Sequence, residues 1–266
     1  MSPPAATATR RAAFPPNWPM RIGLALLVLY ALYAASALEI TWARFLIGLD
    51  HGGRFIARMF PPDFSPDKLQ LLLSGMTESM QIAILATVFG TMISLPLGIA
   101  AARNLSPSPV AWTARAVIAV CRTLHPVIIA ILFVKAVGFG ALAGVLALTV
   151  ASVGFVSKLM AEAVEEMSMA QIEAVRATGA PFLGVVVMGL FPQVMPRFIG
   201  FTAYELDSNL RNSALVGIVG GGGIGATLFT AFQRFDFDFV LTIVLAIIAI
   251  VMVGEVLSSW MRRLFQ

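Results

Sequence analysis

The sequence has few charged residues. Only 12% of its 266 residues are Asp, Glu, Lys or Arg, whereas about a quarter of an average soluble domain is charged, and 59% are hydrophobic. So few charges cannot cover a water-facing surface around a domain of this size, and the composition therefore excludes an ordinary soluble enzyme. The mean hydropathy of +0.89 indicates that lipid covers most of the surface.

Cysteine, histidine and lysine are scarce as well. The single Cys121 excludes an intramolecular disulfide framework and a cysteine-based zinc site, and two histidines offer little to a hydrolase or a metal enzyme. No lysine follows a glycine, so the Gly-Lys-Ser/Thr of a phosphate-binding loop is missing. We therefore expect no catalytic residues, metal or cofactor in this chain. The net charge of +4 does not indicate nucleic acid, because basic residues in a membrane protein first set its orientation.

Long charge-free windows predict an all-α membrane protein with six transmembrane helices. The third window is interrupted by Arg122. The prolines and glycines within 177–196 argue against a simple span there, so we place the fifth span after them and accept Glu205, Asp207 and Arg211 as charges in a polar interior. The predicted spans are 22–38, 79–102, 116–134, 136–157, 198–219 and 239–261.

The excess of Lys and Arg on one side of these spans predicts that both termini lie in the cytoplasm of a bacterial inner membrane. The segments outside the spans are an N-terminal tail (1–21), a periplasmic amphipathic segment with a turn (39–71), a cytoplasmic loop (158–196) and a glycine-rich outer turn (220–238). Arg10, Arg11, the apolar stretch and Ala35 to Ala37 also fit a cleavable signal peptide. The prolines that follow the arginines and the even number of spans favour a retained helix.

The most specific pattern lies in the cytoplasmic loop. Glu173, Ala174, Gly179 and Pro192 stand in the register of the EAA motif, and the loop resembles the EAA loop of ABC transporter permeases. Three apolar or small residues depart from the motif: Val175, Gly189 and Phe191. The resemblance implies that short helices here, with Arg176 on the same rim as Glu173, dock on a cytoplasmic ATPase that binds ATP and Mg²⁺.

A second resemblance narrows the class. The stretches 211–225, 102–107 and 191–196 are similar to those of phosphonate-type permeases, and the likeness runs over about 71–263 within a permease core of 72–266. It implies a type I ABC importer that moves phosphonate, phosphite or hypophosphite, with a second permease subunit, two ATPase subunits and a periplasmic binding protein. The Gly-Gly-Ile-Gly element is shared with methionine-type permeases, so a methionine-like permease for another small solute stays open. A secondary transporter or channel also stays open, but it leaves the EAA-like loop unexplained.

An anion crossing the membrane needs cationic or N–H donors at membrane depth. Arg122 and Arg211 are the candidates, since a charge there costs about 2.5 to 3.5 kcal/mol and is expected to face the interior. Arg122 either lines the pathway or snorkels to the inner surface. Arg211 either lines it or pairs with Asp207 one turn away. His125 is either a pathway residue or an ordinary helix-interior histidine.

Further candidates follow on the fifth span. Glu205 and Asn209 lie one turn apart and are expected to serve as gate or hydrogen-bond partners. The glycines after them either offer backbone N–H groups to an anion or permit a tight crossing near the symmetry axis, and we favour close packing or gating. These outer-gate residues are Gly220, Gly221, Gly222, Gly223 and Gly225.

Overall fold

A computed structural model describes residues 18–38 and 41–265. These residues form helices joined by short turns, in two units: the first ends at Ala57 and the second begins at Arg58. The helices are α1 (Trp18–Ala37), α2 (Trp42–Arg58), α3 (Pro66–Ala101), α4 (Ser108–Thr123), α5 (Pro126–Val137), α6 (Ala141–Glu165), α7 (Met169–Ala177), α8 (Phe182–Val185), α9 (Phe191–Val216), α10 (Gly223–Gln233) and α11 (Phe237–Phe265). By length and composition, five helical stretches in this part of the chain can cross a membrane, or six if the bent pair α4 and α5 is one span.

The first unit holds α1 and most of α2. The side chains of α1 are exposed and mostly apolar, in keeping with a helix whose surroundings are lipid. In the amphipathic α2, the Arg54 guanidinium pairs with the Asp50 carboxylate at 2.6 Å. Residues 1–17 of the predicted tail and residues 39 and 40 of the predicted amphipathic segment lie outside the described residues.

The second unit is built on the long contact between α3 and α6. Small residues let the two helices approach: a Cβ added to Gly90 would lie 2.4 Å from Cβ of Ser152. Ile82 and Leu148 are fully buried at this contact, and Val216 of α9 joins the same cluster. The three helices α3, α6 and α9 therefore form the frame on which polar groups are held at membrane depth.

The third predicted span, 116–134, is not one straight helix. Helices α4 and α5 meet at 90°. Pro126 opens α5, and His125 before it is extended (φ −66°, ψ 142°) because proline disfavours the helical conformation of its predecessor. The side chain of His125 accepts a hydrogen bond from the Val127 N–H at 3.3 Å and caps the new helix.

The fifth predicted span, 198–219, lies within a longer helical stretch. A helical stretch runs over Phe182–Gly221, with a π-helical turn at Val186–Leu190 and a second turn, Gly217–Gly221, that is kinked at Gly220 (φ +102°). Two of the prolines that argued for a loop are accommodated, because Pro181 precedes α8, Pro192 lies in the first turn of α9, and a π-helical turn separates them, whereas Pro196 lies inside α9. The non-helical part of the predicted loop 158–196 is correspondingly short.

Three other boundaries differ from those predicted. Helix α3 begins at Pro66 rather than at 79, and α6 begins at Ala141 rather than at 136. Gly138 (φ +92°) and Gly140 (φ +126°) interrupt the chain before α6, because this backbone conformation cannot continue a helix. The predicted outer turn, 220–238, contains α10, which packs on α3.

Candidate translocation cavity and coupling loop

Helices α4, α6 and α9, with the start of α5, line an open cavity of about 240 Å³. Arg122 reaches it from the end of α4, and Glu205 reaches it from α9. Arg122 lies directly against α6, since a Cβ added to Gly154 would be 2.9 Å from Cγ of Arg122. The cavity thus brings together one cationic and one anionic candidate that are far apart in the sequence.

A chain of hydrogen bonds fixes Glu205 from behind. The Asn209 amide nitrogen donates to Thr87 Oγ1 at 3.0 Å and to Ser152 Oγ at 2.8 Å. Ser152 Oγ in turn donates to Glu205 Oε1 at 2.7 Å, and all four side chains are buried. Asn209 therefore supports Glu205 from the interior of the bundle rather than lining the cavity itself.

Arg211 does not lie at this cavity. Its guanidinium pairs with the Asp207 carboxylate one turn away, and Asp207 lines a separate apolar groove beside Leu210 and Gly254. The observed pair with Asp207 is the alternative to a pathway role that the sequence left open for Arg211. His125 is likewise a helix cap with an exposed side chain.

Three polar residues of α9 that the sequence argument passed over line the cavity as well. Tyr204, Ser208 and Asn212 recur every fourth residue, and Tyr204 stacks on Phe155 of α6 with ring centroids 5.5 Å apart. This spacing puts them on one helix face, so a polar stripe in an apolar span was the signal that could have found them.

The glycine turn is a packing element. Gly140 N–H donates to the Gly220 carbonyl at 2.9 Å, and Ile224 N–H donates to Ser79 Oγ at 2.9 Å. A Cβ on Gly144 of α6 would lie only 2.3 Å from the Gly221 carbonyl oxygen. These contacts favour the close-packing interpretation of the turn over an anion-binding one. The other outer-gate candidates lie in the same turn or open α10: Gly222, Gly223 and Gly225.

The EAA-like residues lie on and around the exposed helix α7, Met169–Ala177, which we call the coupling ledge. Helix α7 carries Glu173, Ala174 and Arg176, all exposed, while Ile172 is buried and packs on Gly189. Gly179 follows the helix with a φ of +77°, which stops the helix and turns the chain. Pro192 is also exposed, although it lies in α9 rather than in the loop.

Ion pairs join the end of α6, just before α7, to neighbouring helices. Glu165, the last residue of α6, accepts hydrogen bonds from the Arg103 N–H at 2.8 Å and the Arg115 guanidinium at 2.6 Å. Glu166 pairs with Arg197 of α9 at 2.9 Å. These bonds connect the end of α6, which leads into α7, to the turn after α3, to α4 and to α9.

Comparison with known proteins decides the family. The model of the binding-protein-dependent transport system inner membrane component matches residues 94–266. The chain belongs to this family. Binding-protein-dependent transport components are subunits of membrane transport systems, so the chain is a transport subunit of an ABC system in the inner membrane, not an enzyme. In such systems a separate ATPase uses the ATP, and no group of metal-ligating residues occurs in the part of this transport component that the structure describes.

Relatives of this transport component carry informative names. The phosphate-import permease protein PhnE of Mycolicibacterium smegmatis is 41% identical over 77% of the chain, which spans only 38% of that relative. The phosphite transport system permease protein PtxC of Stutzerimonas stutzeri is 35% identical over 90% of the chain and 86% of its own length. The fold resembles a chain of the inward-facing MetNI methionine ABC transporter, with a TM-score of 0.67, 23% identity, and coverage of 76% of this chain and 100% of that one.

Proposed function

We propose that this chain is the permease subunit of an ATP-driven importer of a small phosphorus oxyanion, such as phosphonate, phosphite or hypophosphite. The observation that carries the proposal is the cavity where Arg122 meets the polar stripe of α9. A hydrated anion needs such donors to leave water, because an uncompensated charge in hydrocarbon is prohibitively costly. The names of the relatives point to the same class of solute.

The coupling ledge supports the partner proposal. An exposed helix rich in small residues, with Glu173 and Arg176 on its rim, suits docking into a cleft of a cytoplasmic ATPase. Two such permease chains with two ATPase subunits would switch between outward and inward access as the ATPases close. A periplasmic binding protein would deliver the anion to the opposite face. With six spans in this orientation, both chain termini would lie in the cytoplasm.

The basic residues support this orientation. Arg103, Arg115, Arg176 and Arg197 gather at the end of the bundle that carries α7. Because cytoplasmic segments near membrane spans are enriched in Lys and Arg, this end is assigned to the cytoplasm. The glycine turn and the start of α3 then face the periplasm.

The test is ligand-stimulated ATP hydrolysis by the purified complex with its binding protein. The panel is methylphosphonate, phosphite, hypophosphite, phosphate and methionine. Stimulation by a phosphorus oxyanion supports the proposal. Stimulation by methionine alone retains the ABC mechanism and discards the substrate class, and the absence of any copurifying ATPase contradicts the partner assignment.

A further inference from the structure

The presence of a carboxylate in an anion cavity needs a physical reason. Glu205 is only 5% exposed, yet it lines the same cavity as Arg122. No ion pair joins these two side chains in the part of the chain that the structure describes. An anion that enters between them therefore meets a guanidinium and also a carboxylate, which by itself repels it.

The hydrogen-bond chain behind Glu205 determines which role the carboxylate plays. Ser152 Oγ accepts from the Asn209 amide, so its single proton is directed at Glu205 Oε1. The Asn209 amide uses its two protons on Thr87 and Ser152. Oε1 of Glu205 is thus held as a hydrogen-bond acceptor, and in the ionised carboxylate the second oxygen also offers the cavity only an acceptor.

A ligand with one hydroxyl group can contact both Arg122 and Glu205 without this repulsion. In a monoanion such as hydrogen phosphite, the P–OH group can donate to Glu205 while the deprotonated oxygens accept from Arg122. Hydrogen bonds between a hydroxyl and a carboxylate are short and strong because one partner is charged. Ser208 and Asn212, on the same wall, add neutral polar partners for the remaining oxygens.

We propose that the cavity between Arg122 and Glu205 selects phosphorus oxyanions that keep a P–OH hydrogen over oxyanions that have none. This inference rests on the proposed function and narrows its substrate class. Phosphite and methylphosphonate monoanions carry the required hydroxyl. Hypophosphite is an anion of the same charge that lacks it, because both of its non-oxygen substituents are hydrogens on phosphorus.

The experiment measures uptake of phosphite and hypophosphite by the complex in proteoliposomes, with the binding protein supplied. The assay runs at about pH 6, near the second pKa of phosphorus oxyacids, where a large share of phosphite keeps its last proton. Each variant is compared with wild type by its phosphite-to-hypophosphite uptake ratio, so that the contribution of the binding protein cancels. If the wild-type complex imports neither anion, the proposed function itself fails.

In Glu205→Gln, the carbonyl oxygen still accepts from Ser152, and the amide turns a donor toward the cavity. We expect the uptake ratio to fall at least tenfold. Arg122→Gln should lower the uptake of both anions together, because both are anions. Asp207→Asn, an isosteric change on the same helix but outside the cavity, should leave the ratio unchanged.

An unchanged ratio in Glu205→Gln overturns the inference, since it would mean that Glu205 already acts as a donor or does not meet the ligand. An equal loss of phosphite and hypophosphite uptake overturns it too, because a purely structural role predicts that result. If the Glu205→Gln complex does not assemble, Ser152→Ala serves as the second variant. This change removes the hydrogen bond that orients the Glu205 carboxylate. A phosphite-to-hypophosphite uptake ratio within twofold of wild type would then contradict the proposed selection.

Discussion

Gly225 at the start of α10 contacts the backbone of α9 so closely that an added Cβ would lie 2.0 Å from the carbonyl oxygen of Ala214. A backbone oxygen cannot move aside as a flexible side chain can. We therefore expect Gly225→Ala to destabilise the protein by about 1 to 3 kcal/mol, the usual cost of overpacking. Thermal unfolding in detergent should show a lower midpoint. Gly52→Ala, where nothing lies within 4 Å, is the control and should not lower it. Equal midpoints for both variants would contradict this packing.

Alanine variants of Arg122 and Arg211 test which of the two arginines lines the transport pathway. Arg122 lines the cavity, whereas Arg211 is paired with Asp207 on another face of α9. We expect Arg122→Ala to lower uptake at least a hundredfold while the ATPase still copurifies, because the anion loses its charged partner at membrane depth. Arg211→Ala should have a much smaller effect on uptake. Comparable losses in the two variants would reject the assignment of Arg122 to the pathway.

If the coupling ledge docks on the ATPase, substitutions in it should leave folding intact but lower the transport obtained from each ATP hydrolysed. Glu173→Lys reverses a charge on an exposed rim, so membrane insertion and folding should be unaffected. Transport per ATP hydrolysed should fall at least tenfold, because docking on the ATPase is disturbed. Gly179→Val should act in the same direction, since valine is strained at a φ of +77°. The measurement is uptake and ATP hydrolysis on the same proteoliposomes, and normal uptake by both variants would refute a docking role.

The sequence alone was sufficient for the helical class and the family, because both depend on local signals: charge-free windows and the register of the EAA-like loop. It did not predict that the helix carrying the fifth span begins at Phe182, because a π-helical turn between Pro181 and Pro192 accommodates residues that usually end a helix. It also grouped Arg211 with Arg122. Their separation depends on the rotation of α9 and on the bend at His125, and neither is encoded in a short pattern. The link from Asn209 through Ser152 to Glu205 joins α9 to α6, so it needed the tertiary structure.

A charge cluster joins the start of α3 to the start of α11 and predicts an acid-sensitive contact. Lys68 Nζ lies 2.7 Å from Asp63 Oδ2 and 2.7 Å from Asp236 Oδ1. The hydrogen bond from Lys68, followed by that from the Ser65 N–H, lowers the pKa of Asp63 below its usual value of 3.8. A lowered carboxyl pKa stabilises the folded state above the unfolded pKa, and this stabilisation disappears as the pH falls through the folded value. The apparent melting temperature of wild type should therefore fall more steeply than that of Asp63→Asn on acidification below pH 3.8. Parallel curves would show that the pair does not contribute.

Glu165 offers a last test, at the junction between the bundle and the coupling ledge. Its Oε1 accepts from the Arg103 N–H and the Arg115 guanidinium, and Arg115 Nε also donates to the Ala101 carbonyl at 2.9 Å. Glu165→Gln removes the charge but keeps the shape. Since the side chains of Arg115 and Glu165 are partly exposed, we expect a loss of about 1 kcal/mol in the free energy of unfolding.

Transport should suffer more than stability, because these bonds connect α3, α4 and α6 beside α7. The measurement is again uptake per ATP hydrolysed, with Glu162→Gln as the control. Glu162 also forms an ion pair, but its partner Lys158 lies on the same helix, so the loss of this pair breaks no contact between helices. If the two variants couple ATP hydrolysis to uptake equally well, the Glu165 junction does not transmit the movement of α7.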